Sequence, residues 1–407
     1  MNPKGIKVLM MGGRRSGKSS MLAGLFDVML GQDISKLVQV KDITPADNVS
    51  LSDKVKDLKA TLQSMGGRVI LSDTGHTDKF HPYSLQFTIP GTDHSMNIAF
   101  TDANGEYFDH NATYAKEREE LVNRVKESDI ILIAIDTVYL MEGDEGQNDM
   151  ANCVTSVEAL LTNLKMEDKA KLVVYAPIKC ERWNRDGHRL EEVTEKVEKV
   201  YATSIKALSA SPLVEIVILP VQTAGNIVFQ ELLPAYIYNA DGRALRCSVL
   251  PDGERVRFAD GIIKGANELR AENVVEDPTA FFLGTNIERP NAWFRITGRE
   301  YSPHNCEQLA YYILRYMLNR SIDAEKASNK DNKRLPSWIK WGLAVAAVFS
   351  GLGWLYAATA AAFVFGDKMG NVSIKEMEEL VRKLSYKGYI KDSGEGIKIV
   401  HRYKKLS

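Results

Sequence analysis

The chain has 407 residues, with 52 Lys+Arg against 53 Asp+Glu and a formal net charge of −1. That length suits about two or three domains, or one large α/β domain with attachments. A composition that is 44% apolar and 26% charged belongs to a folded chain rather than a disordered one. Balanced charge removes the electrostatic case for nucleic acid as the main partner. Cys153, Cys180, Cys247 and Cys306 lie far apart with no CxxC pair, which argues against a disulfide scaffold or structural zinc and for a reducing compartment.

In chain order, Met1–Gly5 leads into an apolar strand without the plan of a signal peptide. Strands are predicted at Ile6–Met11, Ser84–Ile89, Met96–Thr101, Ile130–Ile135, Leu172–Ala176 and Val214–Leu219. Helical periodicity fills Lys18–Leu30, Ala112–Lys126, Asp149–Leu164, Leu190–Leu208 and His304–Arg320. This alternation predicts a mostly parallel sheet with helices on both faces, and strands that are apolar throughout fit burial on both sides. Residues 33–79 read as an insertion holding a charged helix (Ser52–Met65), and turn-rich 239–290 as a second one. The expected organisation is a nucleotide domain over 1–322, a basic linker over 323–340, an uncharged run over 341–366 and a small α+β tail over 367–407.

Gly12-Gly13-Arg14-Arg15-Ser16-Gly17-Lys18-Ser19 matches GxxxxGK[ST] between a predicted strand and a predicted helix. Such a loop turns its N–H groups onto β-phosphate oxygens at a helix N-terminus. Lys18 would bridge the β- and γ-phosphates, Ser19 would ligate Mg²⁺, and Ser20 completes the binding segment. The next predicted strand of interest ends in Asp102-Ala103-Asn104-Gly105-Glu106. Asp-x-x-Gly there supplies an Asp for Mg²⁺ and a Gly amide for the γ-phosphate. Asp136, ending another apolar strand, is the rival and would suit an ATPase.

Two later loops bear on the base. Pro177-Ile178-Lys179-Cys180-Glu181 stands where guanine-reading proteins carry Asn-Lys-x-Asp. Lys179 would lie along the purine and Glu181 would accept from guanine N1 and N2, while Ile178 replaces the tethering Asn. Gln222-Thr223-Ala224-Gly225 fits the loop whose amide reads the guanine oxygen, with Thr223 and Ala224 as the candidate contacts.

On these strings, together with Tyr301–Gln308, the chain resembles TRAFAC-type P-loop GTPases over about residues 5–320. Within them it is most similar to bacterial double-GTPase-like proteins of multi-component signalling and conflict systems. The resemblance implies a P-loop NTPase fold, GTP/GDP with Mg²⁺, and a role as a switch in such a system. Glu106 replaces the Gln that small GTPases use to orient the attacking water. Arg14 could pair with Glu106, act as a built-in arginine finger, or face solvent. Thr77 is the favoured switch threonine for Mg²⁺, with Thr74 the alternative.

Trp341–Gly366 holds 26 residues without a charge, about 39 Å as a helix against a hydrocarbon core of about 30 Å. A tilted single span is expected, with a buried helix or an in-plane hairpin as alternatives. Small residues at Gly342, Ala346 and Ser350 allow a homo-oligomer. The expectation is a single-pass protein of the bacterial inner membrane with its nucleotide domain in the cytoplasm, acting with an unidentified effector or activator. A GTP-bound scaffold without turnover is the alternative from a different class.

Overall fold

The computed structural model describes residues 6–29, 39–44, 52–60 (apart from 54, 57 and 58), 68–70, 80–88, 95–108 and 114–164. It also describes 170–240 (apart from 186 and 188), 243–249, 255–257, 288–319 (apart from 299, 314, 317 and 318) and 391–403. The linker, the uncharged run over 341–366 and most of the tail lie outside the described residues. Among the described residues no helix is long and apolar enough to cross a membrane.

Alternating side chains of doubly apolar strands build a sheet with a core on each face. In β1 (Ile6–Met11), Val8 and Met10 enter one core while Leu9 and Met11 enter the other. The fully buried β6 (Ile130–Asp136) divides in the same way, with Leu132 on one side and Ile133 on the other. Helix α1 (Lys18–Met29) covers the first face together with a helix over 306–319, through Phe26, Leu309 and Ile313. The second face is covered by α2 (Ala115–Glu127), α5 (Val154–Thr162) and α6 (Leu190–Val200) among others, through Val125, Val157 and Val193. The predicted α/β class with a mostly parallel sheet is therefore observed.

The main sheet has the order β13-β14-β8-β7-β6-β1-β5-β4-β2, with β7 at Lys171–Ile178, β8 at Val214–Ile218, β13 at Ser393–Gly394 and β14 at Ile397–His401. Here β5 (Ser95–Asp102) and β6 flank β1 in parallel, whereas β4 (His81–Thr88) runs antiparallel to β5. The outermost strand on that side, β2 (Gln39–Asp42), is antiparallel to β4. The β1–β5 register sets Met10 opposite Asp102, which brings the end of β5 to the loop that follows β1.

Three helical features differ from the sequence expectations. The helix expected over Asp149–Leu164 is two helices, α4 (Glu145–Asn152) and α5, because Cys153 takes a left-handed conformation at φ 51° between them. A short α3 (Thr137–Glu142), which the periodicity did not show, precedes them. The Leu190–Leu208 pattern likewise breaks at Tyr201, where α6 gives way to α7 (Ala202–Ser209).

The second insertion begins earlier than residue 239. Strands β9 (Ile227–Ala240), β10 (Arg243–Val249), β11 (Arg255–Arg257) and β12 (Glu288–Ile296) form a separate antiparallel sheet. Its edge strand is β3 (Arg68–Ile70), from the first insertion, which pairs with β12. The two insertions thus meet in one sheet through β3 and β12, by backbone pairing that composition does not encode, while β2 of the first insertion joins the main sheet.

The end of the tail belongs to the main sheet. Strands β13 (Ser393–Gly394) and β14 (Ile397–His401) form a hairpin, and β14 pairs antiparallel with β8. Without it β8, whose Val214, Ile216, Val217 and Ile218 are all buried, would present an open apolar edge.

Candidate functional site

The loop between β1 and α1 closes tightly because its glycines carry no side chains. Gly12 and Gly17 sit at φ 140° and 99°, where L side chains are strained. A Cβ on Gly13 would lie 1.9 Å from the Ala151 carbonyl oxygen of α4, so that helix packs directly on the loop. Lys18, 8% exposed, curls back and donates to the Gly12 and Gly13 carbonyls at 3.0 and 2.9 Å. Its charge thus rests inside a curl of backbone built for an anion.

Ser19 opens α1 and donates from Oγ to Asp102 Oδ2 at 3.0 Å. Asp102 is 2% exposed, and its Oδ1 has no hydrogen-bond partner among the described residues. Leaving a buried carboxylate oxygen unmatched is costly. A hydroxyl and an orphaned carboxylate oxygen side by side are hard ligands suited to Mg²⁺. The donor set therefore fits the ion that the loop motif implies. Thr74 and Thr77, the candidate switch threonines, lie outside the described residues.

Gly105 opens a 3₁₀ turn (Gly105–Phe108), and its backbone presses on the loop so closely that a Cβ would lie 2.2 Å from the Arg14 nitrogen. The next residue, Glu106, has both carboxylate oxygens engaged. Oε1 lies 3.0 Å from the Arg14 guanidinium, and Oε2 accepts from the Tyr114 hydroxyl at 2.8 Å. Of the three arrangements left open for Arg14, pairing with Glu106 is the one observed. Tyr114, which caps α2 and packs on Tyr107 with ring centroids 5.8 Å apart, carries no signal in sequence spacing.

Asp136 has a different task from the one an ATPase would give it. At the end of β6 it caps α3, accepting from the Val138 amide at Oδ1. Its Oδ2 lies 2.5 Å from Lys179 Nζ, so both oxygens are committed away from Ser19. Asn152 holds the turn by exchanging hydrogen bonds with the Asp136 backbone at 2.6 and 3.1 Å.

The base-loop candidates come together at the ends of β7 and β8. Lys179, at φ 63°, also donates to the Arg15 carbonyl at 2.9 Å and so ties this loop to the phosphate loop. Ile178, in the Asn position, stands over Gly17, where an added Cβ would meet its Cδ1 at 2.8 Å. Apolar packing replaces the tethering hydrogen bond there.

Glu181 is 2% exposed and accepts through Oε1 from the Ala224 and Gly225 amides at 3.4 and 3.2 Å. Burial pushes its carboxyl above the ordinary range, while those amides and the nearby Arg185 charge pull the other way. Arg185 donates to the Gly225 carbonyl at 2.7 Å, a bracing contact that the motif did not reveal. Thr223 and Ala224 are buried in the same loop, and Cys180 is a buried spacer whose thiol is raised by desolvation.

A glycine-lined anion loop, a Ser–Asp pair joining the start of α1 to the end of β5 and a buried carboxylate at the neighbouring strand ends define a P-loop nucleotide-binding domain. Its metal-side strand lies directly beside the loop strand. The family model for Double-GTPase 2 matches residues 7–226, and the chain belongs to that family. A search of curated proteins finds no match.

Proposed function

We propose that this chain is a GTP-binding switch that hydrolyses GTP slowly or on demand from an activator. It would act at a membrane through residues 341–366, within a bacterial signalling or defence-type system of several components. The observation that carries the nucleotide part is the Ser19–Asp102 contact with the Asp102 Oδ1 left open, at the foot of the P-loop.

When bound, Mg²⁺ would supply charge neutralisation for the β- and γ-phosphates. The chain's own residues do the rest. Loop amides and Lys18 hold the phosphates, Ser19 and Asp102 hold the ion, and the Gly105 amide stands against the loop where a γ-phosphate would push on it. Glu106 is placed to orient an attacking water, with Arg14 offsetting a charge that would otherwise repel the phosphate. The alternative ATPase reading would need the Asp136 carboxylate released from Val138 and Lys179.

Turnover of Mg²⁺–GTP against Mg²⁺–ATP on the full chain tests the reading. Selective GTP turnover supports it. GTP binding without turnover, even with cell extract added, favours the scaffold, and preference for ATP removes the guanine roles of Lys179 and Glu181.

Tyr114→Phe removes one hydrogen bond from Glu106 and is expected to lower GTP turnover about fivefold to tenfold. GTP affinity should stay unchanged, with stability lowered only by the one lost hydrogen bond, and a shift in affinity of the same size would assign Tyr114 to binding rather than to positioning Glu106.

Reading guanine N1 and N2 requires ionised Glu181, whereas burial in the empty site raises its carboxyl above the ordinary range. GTP uptake therefore releases a proton, and affinity should rise with pH from the ordinary glutamate range up to the raised value. Titrations that start in the ordinary glutamate range and run upward in pH should show this slope, on the general basis that a shifted group titrates on binding. In Glu181→Gln the slope should vanish. A slope that survives this change belongs to another group.

A further inference from the structure

The base loop after β8 is backed by a segment that reaches the C-terminal hairpin. Gln222 and His304 exchange both backbone hydrogen bonds, at 3.0 and 2.9 Å. The Ser302 amide donates to the Ala224 carbonyl at 3.1 Å, and Asn305 Nδ2 donates to the Pro220 carbonyl at 3.0 Å. Gly225 presses on the same segment, where an added Cβ would lie 1.9 Å from the Ser302 carbonyl oxygen. The Ala224 and Gly225 amides, which donate to Glu181, therefore rest on a backing whose position fixes theirs.

That backing is attached in turn to the tip of the hairpin. His304 Nε2 lies 3.0 Å from Glu395 Oε2, and Glu395 Oε1 lies 2.6 Å from Lys391 Nζ. An imidazole that carries its proton on Nε2 donates whether the ring is neutral or charged. The Lys391 backbone is fixed as well. Its amide donates to Gln308 at 3.0 Å, and its carbonyl accepts from the Tyr312 hydroxyl at 2.7 Å.

Turn chemistry does not account for a glutamate at this place. Glu395-Gly396 is the two-residue loop between β13 and β14, with φ of 51° and 75°. A type I′ turn of this kind favours asparagine, aspartate or glycine at its first position, because other side chains are strained at positive φ. Strain of that sort is kept where the side chain has a task. Of the Glu395 partners, Lys391 belongs to the hairpin segment itself, whereas His304 leads to the base loop.

We propose that Glu395 and His304 are positioning residues for the purine. Through their contact the seated hairpin holds the loop over 222–225 in the arrangement that reads guanine. Hairpin seating and guanine binding then favour each other, as linkage requires. This rests on the guanine reading of the proposed function and adds a means of regulating that site from the C-terminal strand.

The test uses the full chain, with Kd measured side by side for Mg²⁺–GTP and Mg²⁺–ATP. Glu395→Asn draws the polar group back from His304 while giving the turn a residue it favours, so the hairpin should stay seated and thermal stability should not fall. The preference for GTP over ATP is expected to narrow about fivefold, with ATP affinity changed less than about twofold, in the range of a coupling contact. His304→Ala should narrow it equally, and the double variant should add nothing, as for two ends of one contact. Conversely, Mg²⁺–GTP should slow hydrogen exchange over 397–401 more in wild type than in Glu395→Asn. An unchanged preference in both single variants, or equal slowing of exchange, overturns the inference and leaves the guanine reading standing. Equal losses of GTP and ATP affinity also overturn it, since they would make the pair a general brace. A wild type that binds GTP and ATP alike removes the guanine reading and takes the inference with it.

Discussion

Lys18→Ala is expected to lower GTP turnover on the order of 10²–10³-fold, the usual effect of removing one preorganised charged donor from a developing phosphate charge. In the empty site the ammonium donates to the Gly12 and Gly13 carbonyls. Those contacts show where the charge waits, and bound phosphates would take it over. Because the loop's shape rests on its glycines and on their packing against α4, the variant should fold. Its distinguishing defect is a missing response to ligand. Wild type should gain about 2.7 kcal/mol of stability from Mg²⁺–GTP at a hundred times its Kd, and the variant should gain almost none at that concentration. Turnover within about threefold of wild type, set against the loss expected for such a donor, would remove Lys18 from the phosphate site.

The largest stability effect is expected from Arg315→Ala. Arg315 and Glu215 are 5% exposed, and their ion pair links the helix over 306–319 to β8. Removing the guanidinium leaves the Glu215 carboxylate buried without its charged partner, a loss of about 3–5 kcal/mol in such sites. The same change also cuts the contact to Asp392 and so loosens the C-terminal hairpin. Denaturant unfolding measures the loss. Adding Glu215→Leu should recover much of it, because the stranded charge is then gone. A single variant that loses less than about 1 kcal/mol, the range of an exposed pair, would show that water reaches Glu215. The same geometry makes a fragment ending near residue 330 a poor substitute for the full chain, since it exposes the edge of β8.

Much of the site was legible because phosphate chemistry demands particular residues at particular spacings. Gly12, Gly13 and Gly17 are required where backbone or neighbouring atoms leave no room for a Cβ, and Lys18–Ser19 must open the helix. The Asp-x-x-Gly string was readable for the same reason, since Gly105 packs against the loop backbone. Glu181 and Ala224 were placed by their strand ends, and they meet. Tyr114, Asn152 and Arg185 were not legible. Each acts through side-chain contacts that only the folded arrangement creates, and a tyrosine, an asparagine or an arginine at such a position has many other uses. Asp136 stayed a rival to the favoured Asp102 for a related reason. An acidic residue ending an apolar strand can serve a metal or cap a helix, and only its neighbours distinguish the two.

The sequence by itself determined the parallel α/β core, through strands apolar on both faces, and the phosphate loop, through a local motif whose backbone geometry is dictated by its own residues. Tertiary structure decided which strand lies beside which, and hence that Asp102 rather than Asp136 serves Ser19. It also decided that the two insertions share one sheet through β3 and β12, and that β14 returns to cover β8. Those pairings are made by backbone hydrogen bonds between segments far apart in the chain. The N–H and C=O groups that form them are the same in nearly every residue, so composition and spacing do not specify the partner.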